Sequence, residues 1–259
     1  MRRVERVMGM PVAIDVRDAS VAPAALDRAF AWLRRVDATF STYDPRSEIS
    51  RLNRRELALG DADPLVLAVL ARCERLRRRT GGYFDVRAPL PGALDPSGLV
   101  KGWAVERAAR VLGDAGARNF CIDAGGDVCL RGAPGPGARW RVGIRHPREA
   151  DRLAAVLALG SAAVATSAAY ERGPHIVDPH TGRPPRGVDS VTVVGPDLGT
   201  ADAYATAAFA MGEEGPAWTA RLRGHEAMTV LEGDRVVCTP GFLRHVDGAS
   251  VAASVGARA

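Results

Sequence analysis

Residues 119–130 read NFCIDAGGDVCL. The stretch reads as strand, turn and strand, with Gly125-Gly126 as the two-residue connection, because paired glycines supply the positive φ that tight hairpin turns require. Working outward, 98–112 has the pattern of a helix entered through a glycine-containing loop, 65–79 is a second amphipathic helix, and 23–38 is a third. In that third helix the apolar positions Leu26, Ala29, Phe30, Leu33 and Val36 recur at helical spacing. Alternation over 4–16 predicts an opening hairpin whose strands break at Gly9 and Pro11. Downstream, strands are expected at 140–144, 153–159, 162–166 and 188–194, then a helix over 200–211, a short helix near 216–222 and two further strands. Strands therefore come in hairpin-like groups with helices between them, without the regular alternation of a doubly wound sheet. The expected class is α+β with mixed or antiparallel sheets, built as one body over 1–247 with a flexible tail over 248–259.

Composition supports a globular protein: of 259 residues, 47% are hydrophobic, 25% charged and 5% aromatic. The formal charge of +5 and a pI near 9.4 raise the question of an anionic partner. The densest basic run, Arg75, Arg77, Arg78 and Arg79, closes a helical stretch, where positive charge complements the helix dipole. Aromatic residues to stack bases are few and no nucleic-acid-binding signature is present, so no nucleic-acid partner is expected. The four cysteines form no CxxC pair and have no neighbouring histidine at metal spacing, so free thiols in apolar surroundings are expected. Neither a signal-like apolar stretch nor a membrane span is found, which leads to the expectation of a cytoplasmic location.

Certain residues invite a chemical reading. Lys101 is the one lysine among 35 lysines and arginines. An ammonium is a compact point charge where a guanidinium is a broad fork, so a confined contact can demand the former. It lies in LDPSGLVKGWA (94–104), where glycines let the backbone approach a ligand and helix-start amides attract phosphate. In TADAYAT (200–206), Asp202 and Thr206 are one helical turn apart and offer the hard oxygen ligands that Mg²⁺ prefers. The structural alternatives are an Asp satisfying amides at a helix start and a Thr bonding back to the preceding turn. In HIVDPHTGRP (175–184), His175 has a side chain suited to taking a proton near neutrality, and His180 sits inside the turn.

In order, MGMPV (from Met8), STYDPRSEISRLN (Ser41), TGGYFD (Thr80), LDPSGLVKGWAVERAARVL (Leu94), DAGGDV (Asp123), WRVGIRHP (Trp140), AVATS (Ala163), HIVDPHTGRP (His175) and SVTVVGPDLGTADAYATAAFAMG (Ser190) resemble the FAD:protein FMN transferase, or ApbE-like flavin transferase, family. The resemblance implies that Met8, Tyr43, Tyr83, Phe84, Asp85, Asp95, Lys101 and Val177 line an FAD site. It also implies that Asp202, Thr206 and the carbonyl of Gly98 hold Mg²⁺, and that His175 is the base. The implied reaction carries the FMN half of FAD to a threonine or serine hydroxyl of a client protein, with AMP departing. The connections after Asp85 and Tyr170 are shorter than in the family's usual pattern. Two alternatives share the same site: an FAD pyrophosphatase giving FMN and AMP, motivated by the shortened connections, and a non-catalytic flavin-binding carrier, motivated by Gly98 and Ala205 at the metal site.

Overall fold

The computed structural model describes residues 1–88, 92–169 and 176–248. The chain runs β1 (Arg2–Val7), β2 (Met10–Val16), α1 (Ala24–Phe40), α2 (Glu48–Asn53), α3 (Pro64–Arg79), α4 (Ser97–Asp114), β3 (Phe120–Ala124) and β4 (Asp127–Arg131). It continues through β5 (Trp140–Arg145), β6 (Leu153–Leu159), β7 (Ala162–Ala168), β8 (Val188–Gly195), α5 (Leu198–Ala210), α6 (Gly215–Thr219), β9 (Glu226–Leu231) and β10 (Arg235–Cys238). Eight strands form one antiparallel sheet in the order β1-β2-β3-β4-β7-β8-β9-β10, and β5 and β6 form a separate hairpin. The architecture is α+β, as the grouping of hairpins implies.

Turn chemistry sets the register. Val7 faces Met10 across a Met8-Gly9 turn with φ of 54° and 74°, and Ala124 faces Asp127 across Gly125-Gly126 with φ of 61° and 94°. Both are the positive-φ pairs that match the twist of the strands they join. Because Val12 of β2 pairs with Ala124 of β3, the two turns emerge at the same end of the sheet, and the Met10 sulfur lies where a Gly125 side chain would otherwise project. Pro11 does not break the chain as expected. It sits second in β2, opposite Arg6, where its missing N–H forfeits a single ladder donor beside the turn.

The sheet is covered on both faces. The larger core places α1, α3, α4 and α5 against one face, with Phe30, Leu33, Leu99, Leu112, Ile14 and Ile122 wholly buried. On the other face the β5–β6 hairpin lays Trp140, Val142, Ile144 and Leu157 over Leu130, Val164, Val194 and Val230, with Phe242 closing the layer. Helix α5 is alanine-rich and buried on nearly every side, which suits a helix enclosed between a sheet and a neighbouring helix. The basic end of α3 is a charged helix terminus: Arg77 and Arg78 both pair with Glu74, at 2.9 and 3.0 Å. Gly248 is the last described residue, and the rest of the expected tail lies outside the described residues.

Candidate active site

Helices α4 and α5 run antiparallel and closer than side chains would allow. A Cβ on Gly102 would lie 2.6 Å from the Leu198 carbonyl oxygen, and a Cβ on Gly98 would lie 3.3 Å from Thr206 Oγ1. Gly98 and Gly102 are one turn apart on α4, as Thr206 and Asp202 are on α5, so the pairs meet in register, Gly98 with Thr206 and Gly102 with Asp202. The Gly102 N–H donates to Asp202 Oδ2 at 3.2 Å, and Asp202 is 3% exposed. Neither structural alternative raised for these residues describes that contact. Helix α5 begins earlier than expected, capped by Asp197, which accepts from the Thr200 N–H. Asp202 is therefore a turn inside the helix and takes an amide from α4 instead of from its own start. The Thr206 hydroxyl lies 3.4 Å from Ser167 Oγ on β7.

The group fits a small divalent cation. A buried carboxylate, a hydroxyl one turn on and a glycine whose lack of a side chain opens the approach from α4 form a hard-oxygen set, and magnesium is usually held by one or two protein groups with phosphates and water completing its shell. Among the described residues no group of three or more His, Cys, Asp or Glu side chains converges as a zinc or iron centre would need.

Other expected residues gather at the same end of the sheet. Phe84 is buried, and its ring edge is 3.3 Å from where a Gly98 Cβ would stand. Lys101 Nζ pairs with Asp127 Oδ2 at 2.9 Å, directly after the Gly125-Gly126 turn. Asp95 accepts from the Ser97 N–H at 3.0 Å and so helps start α4, while its own N–H donates to the Val86 carbonyl at 2.7 Å. The described residues just before α4, 92–96, form a loop, in keeping with a helix entered through a glycine-containing loop. Asp85 is half-buried and accepts from the Arg87 N–H. Met8 has its N–H on Asp37 Oδ2 of α1 at 2.9 Å, fixing the first hairpin turn. Tyr43, by contrast, projects from the loop after α1 at 89% exposure and is not packed against the others.

The described part of the HIVDPHTGRP segment, 176–184, docks here through His180. The His180 ring packs edge-on against Tyr83 with centroids 4.6 Å apart and lies 3.1 Å from where a Gly82 side chain would begin, while its Nε2 is 3.1 Å from the Gly81 carbonyl. Val177 is half-buried just before the Asp178–Arg183 bridge that closes this turn. His175 lies outside the described residues. Burial, with the nearby carboxylates of Asp178 and Glu214, pushes the Tyr83 phenol above its ordinary value. A cavity of about 480 Å³ opens beside it, lined by Thr80, Met211, Trp218 and Arg221. A larger concavity, lined by Trp32, Arg107, Arg110, Arg118 and Arg131, lies at the far end of α4, away from these residues.

Several supporting residues escape sequence reading because their partners are distant along the chain. Asn53 clamps Leu94 from both sides, accepting its N–H at 2.7 Å and donating to its carbonyl at 2.9 Å. Glu106, 6% exposed, accepts from the Leu198 N–H at the head of α5 and pairs with Arg131. Arg72 of α3 reaches Asp197 and Thr200 at 2.8 and 3.0 Å. Asp127 was within a quoted motif, but no sequence signal gave it a partner.

A model of the ApbE family matches residues 8–90 and 87–229. The chain belongs to the ApbE family. It is 37% identical over 131 residues to an FAD:protein FMN transferase of Vibrio cholerae, covering 47% of this chain and 39% of that protein. Against the FAD:protein FMN transferase of Rhodobacter capsulatus it is 34% identical over 189 residues, 69% of this chain and 36% of that one. The chain thus spans less than half the length of these two ApbE-family relatives. Among solved structures, the flavin transferase ApbE from Vibrio cholerae superposes with a TM-score of 0.83 at 25% identity, covering 95% of this chain and 98% of that chain. The ApbE protein of Thermotoga maritima gives 0.84 at 25% identity, with 95% and 99% covered. Among the described residues, no helix of this ApbE-family chain is long and apolar enough to cross a membrane.

Proposed function

We propose that this chain is a magnesium-dependent FAD:protein FMN transferase that joins the FMN half of FAD, through its phosphate, to a threonine or serine hydroxyl of a client protein. The observation that carries the reading is the registered meeting of Gly98 and Gly102 on α4 with Thr206 and Asp202 on α5. That meeting brings together hard oxygens suited to a phosphate-bound cation, near Phe84 and the Lys101–Asp127 pair, and so supports the reading. Asp202, Thr206 and the Gly98 carbonyl would hold Mg²⁺, which when bound supplies charge neutralisation and a fixed geometry at a diphosphate. FAD is the substrate. Phe84 walls the site beside Gly98, the cavity beside Tyr83 receives part of the dinucleotide, and Asp95, Lys101 and the Met8 turn border it.

In the reaction, the client hydroxyl oxygen forms a bond to the FMN phosphorus as the bond from that phosphorus to the bridging oxygen breaks. AMP leaves with the bridging oxygen, and His175 takes the hydroxyl proton. A buried carboxylate held by a backbone amide cannot swing as the charge moves, so the pocket is organised before the reaction begins.

The test is a nucleotide balance. The chain is incubated with FAD and Mg²⁺, with and without a client domain bearing an acceptor threonine, and AMP, FMN and FAD are separated chromatographically. Transfer predicts AMP without free FMN, and only when client is present. Equal AMP and FMN unaffected by client would make the chain a pyrophosphatase, and full recovery of FAD would make it a carrier.

A further inference from the structure

We propose that Asp127 is a positioning residue: it fixes the Lys101 ammonium so that the lysine serves the FAD site as a directed hydrogen-bond donor and not as a charge for the diphosphate. The proposal deepens the reading of that site and rests on it.

Asp127 is 1% exposed, and a carboxylate at that depth costs several kcal/mol unless it is paired and hydrogen-bonded. The carboxylate is ion-paired at one oxygen and hydrogen-bonded at the other. Lys101 Nζ lies 2.9 Å from Oδ2, and the Thr166 N–H donates to Oδ1 at 3.1 Å, tying the carboxylate to β7 as well as to β4. Thr166 is itself linked to Thr192 of β8 at 2.9 Å, so the carboxylate is braced by neighbouring strands and cannot follow a moving lysine.

Electrostatics then decides what the lysine can do. With a carboxylate at 2.9 Å the pair is close to neutral when viewed from the distance of a bound phosphate, and its pull on a second anion is largely cancelled. What survives is geometry. The ion-pair contact with a rigid carboxylate fixes where the ammonium nitrogen sits, and with it the reach of an ammonium's N–H donors. The Lys101 side chain is 17% exposed, lies one residue from Gly102, and stands beside the Gly125-Gly126 turn against which Met10 packs. A planar guanidinium could keep the ion pair but would place its donors along different vectors. This accounts for a lone lysine among 35 lysines and arginines.

The experiment measures FAD affinity by titration calorimetry in Asp127→Asn, Asp127→Glu, Lys101→Arg and Lys101→Met, with the Mg²⁺ concentration for half-maximal turnover and the melting temperature recorded for each. The expected result is a loss of roughly tenfold in FAD affinity for Asp127→Asn, the scale of one charge-assisted hydrogen bond. Partial recovery is expected in Asp127→Glu, a comparable loss in Lys101→Arg despite its retained charge, and an unchanged Mg²⁺ requirement. Should Asp127→Asn bind FAD as well as or better than the parent, or Lys101→Arg match it, the lysine acts as a charge and the proposal is overturned. A loss accompanied by a parallel shift in the Mg²⁺ requirement would mean general damage and also overturn it. If Asp127→Asn fails to fold, Lys101→Arg decides alone. Unchanged affinity in Lys101→Met would instead remove Lys101 from the FAD site, which is the failure of the underlying reading.

Discussion

Replacing Gly102 by alanine asks whether the contact between α4 and α5 is as close as the site requires. In an ordinary helix interior the exchange is favourable by about 1 kcal/mol, because alanine loses less backbone freedom. Here the new methyl would stand 2.6 Å from the Leu198 carbonyl oxygen, 2.9 Å from its carbon and 3.0 Å from the Gly199 Cα. The first of these is roughly 0.7 Å short of the ~3.3 Å at which carbon normally meets a carbonyl oxygen. All three obstacles are backbone, so no side chain can turn aside and the helices must separate. Overpacking against backbone alone falls at the upper end of the usual range, about 2–3 kcal/mol, which outweighs the propensity gain and leaves a net loss of about 1–2 kcal/mol. At roughly 2–4 °C per kcal/mol for a chain of this size, the melting temperature should fall by about 2–8 °C. Gly113 is the control, because it lies in the same helix with nothing within 4 Å of an added Cβ. Gly113→Ala should melt at or slightly above the parent. Separation of the helices also draws the Gly102 N–H from Asp202, so the Mg²⁺ concentration for half-maximal activity should rise in Gly102→Ala alone. Calorimetric melting of both variants tests the reasoning, and a Gly102→Ala protein as stable as Gly113→Ala would refute it.

Thr206→Val keeps the shape of the side chain but removes the hydroxyl near Ser167, and should raise the Mg²⁺ requirement at least tenfold while leaving the far-ultraviolet spectrum unchanged; an unaltered requirement would remove Thr206 from the metal site. Burial pushes the thiols of Cys73, Cys121 and Cys129 up to about 12 and that of Cys238 to about 11, so none should react with iodoacetamide at pH 8 in the folded protein, whereas all should react in urea, as mass spectrometry would read. Burial alone would raise the pKa of Asp197, but hydrogen bonds from Thr200 and Arg72 outweigh it and hold the carboxyl below its ordinary 3.8. A carboxyl depressed on folding contributes stability above its unfolded value and loses it as pH falls through the folded one. Arg72→Met should therefore cost about 1 kcal/mol in urea unfolding at pH 7, a modest figure because the pair is partly exposed, and the cost should shrink as the pH drops below that window.

Much of the fold was legible because its turns are chemically explicit. Gly125-Gly126 and Gly9 announce hairpins, and the apolar spacing in α1 and α3 announces which helix faces are buried. Local rules failed where tertiary contacts intervened. Pro11 reads as a strand breaker, yet it sits where its missing donor matters little. The six-residue α2, Glu48–Asn53, is too short to show a period and is started by Ser47, whose side chain accepts from the Ser50 N–H. In the site, the i, i+4 relation of Asp202 and Thr206 was visible in the sequence, but its complement on α4 was not. The meaning of Gly98 and Gly102 appears only when a second helix presses against them. The partners of Lys101, Asn53 and Glu106 were hidden for the same reason: ion pairs and amide clamps between distant segments have no period to detect.

The central claim is that a cation site made by α4 and α5 transfers flavin from a dinucleotide to a protein hydroxyl. Its most direct test is the intact mass of a threonine-bearing client domain after incubation with this chain, FAD and Mg²⁺, followed by fragmentation to locate any adduct. The account predicts one added FMN in phosphoester linkage to the client threonine with the parent chain, and none when Asp202 is replaced by alanine or Mg²⁺ is withheld. An unmodified client with the parent chain, or equal modification by Asp202→Ala, would contradict it.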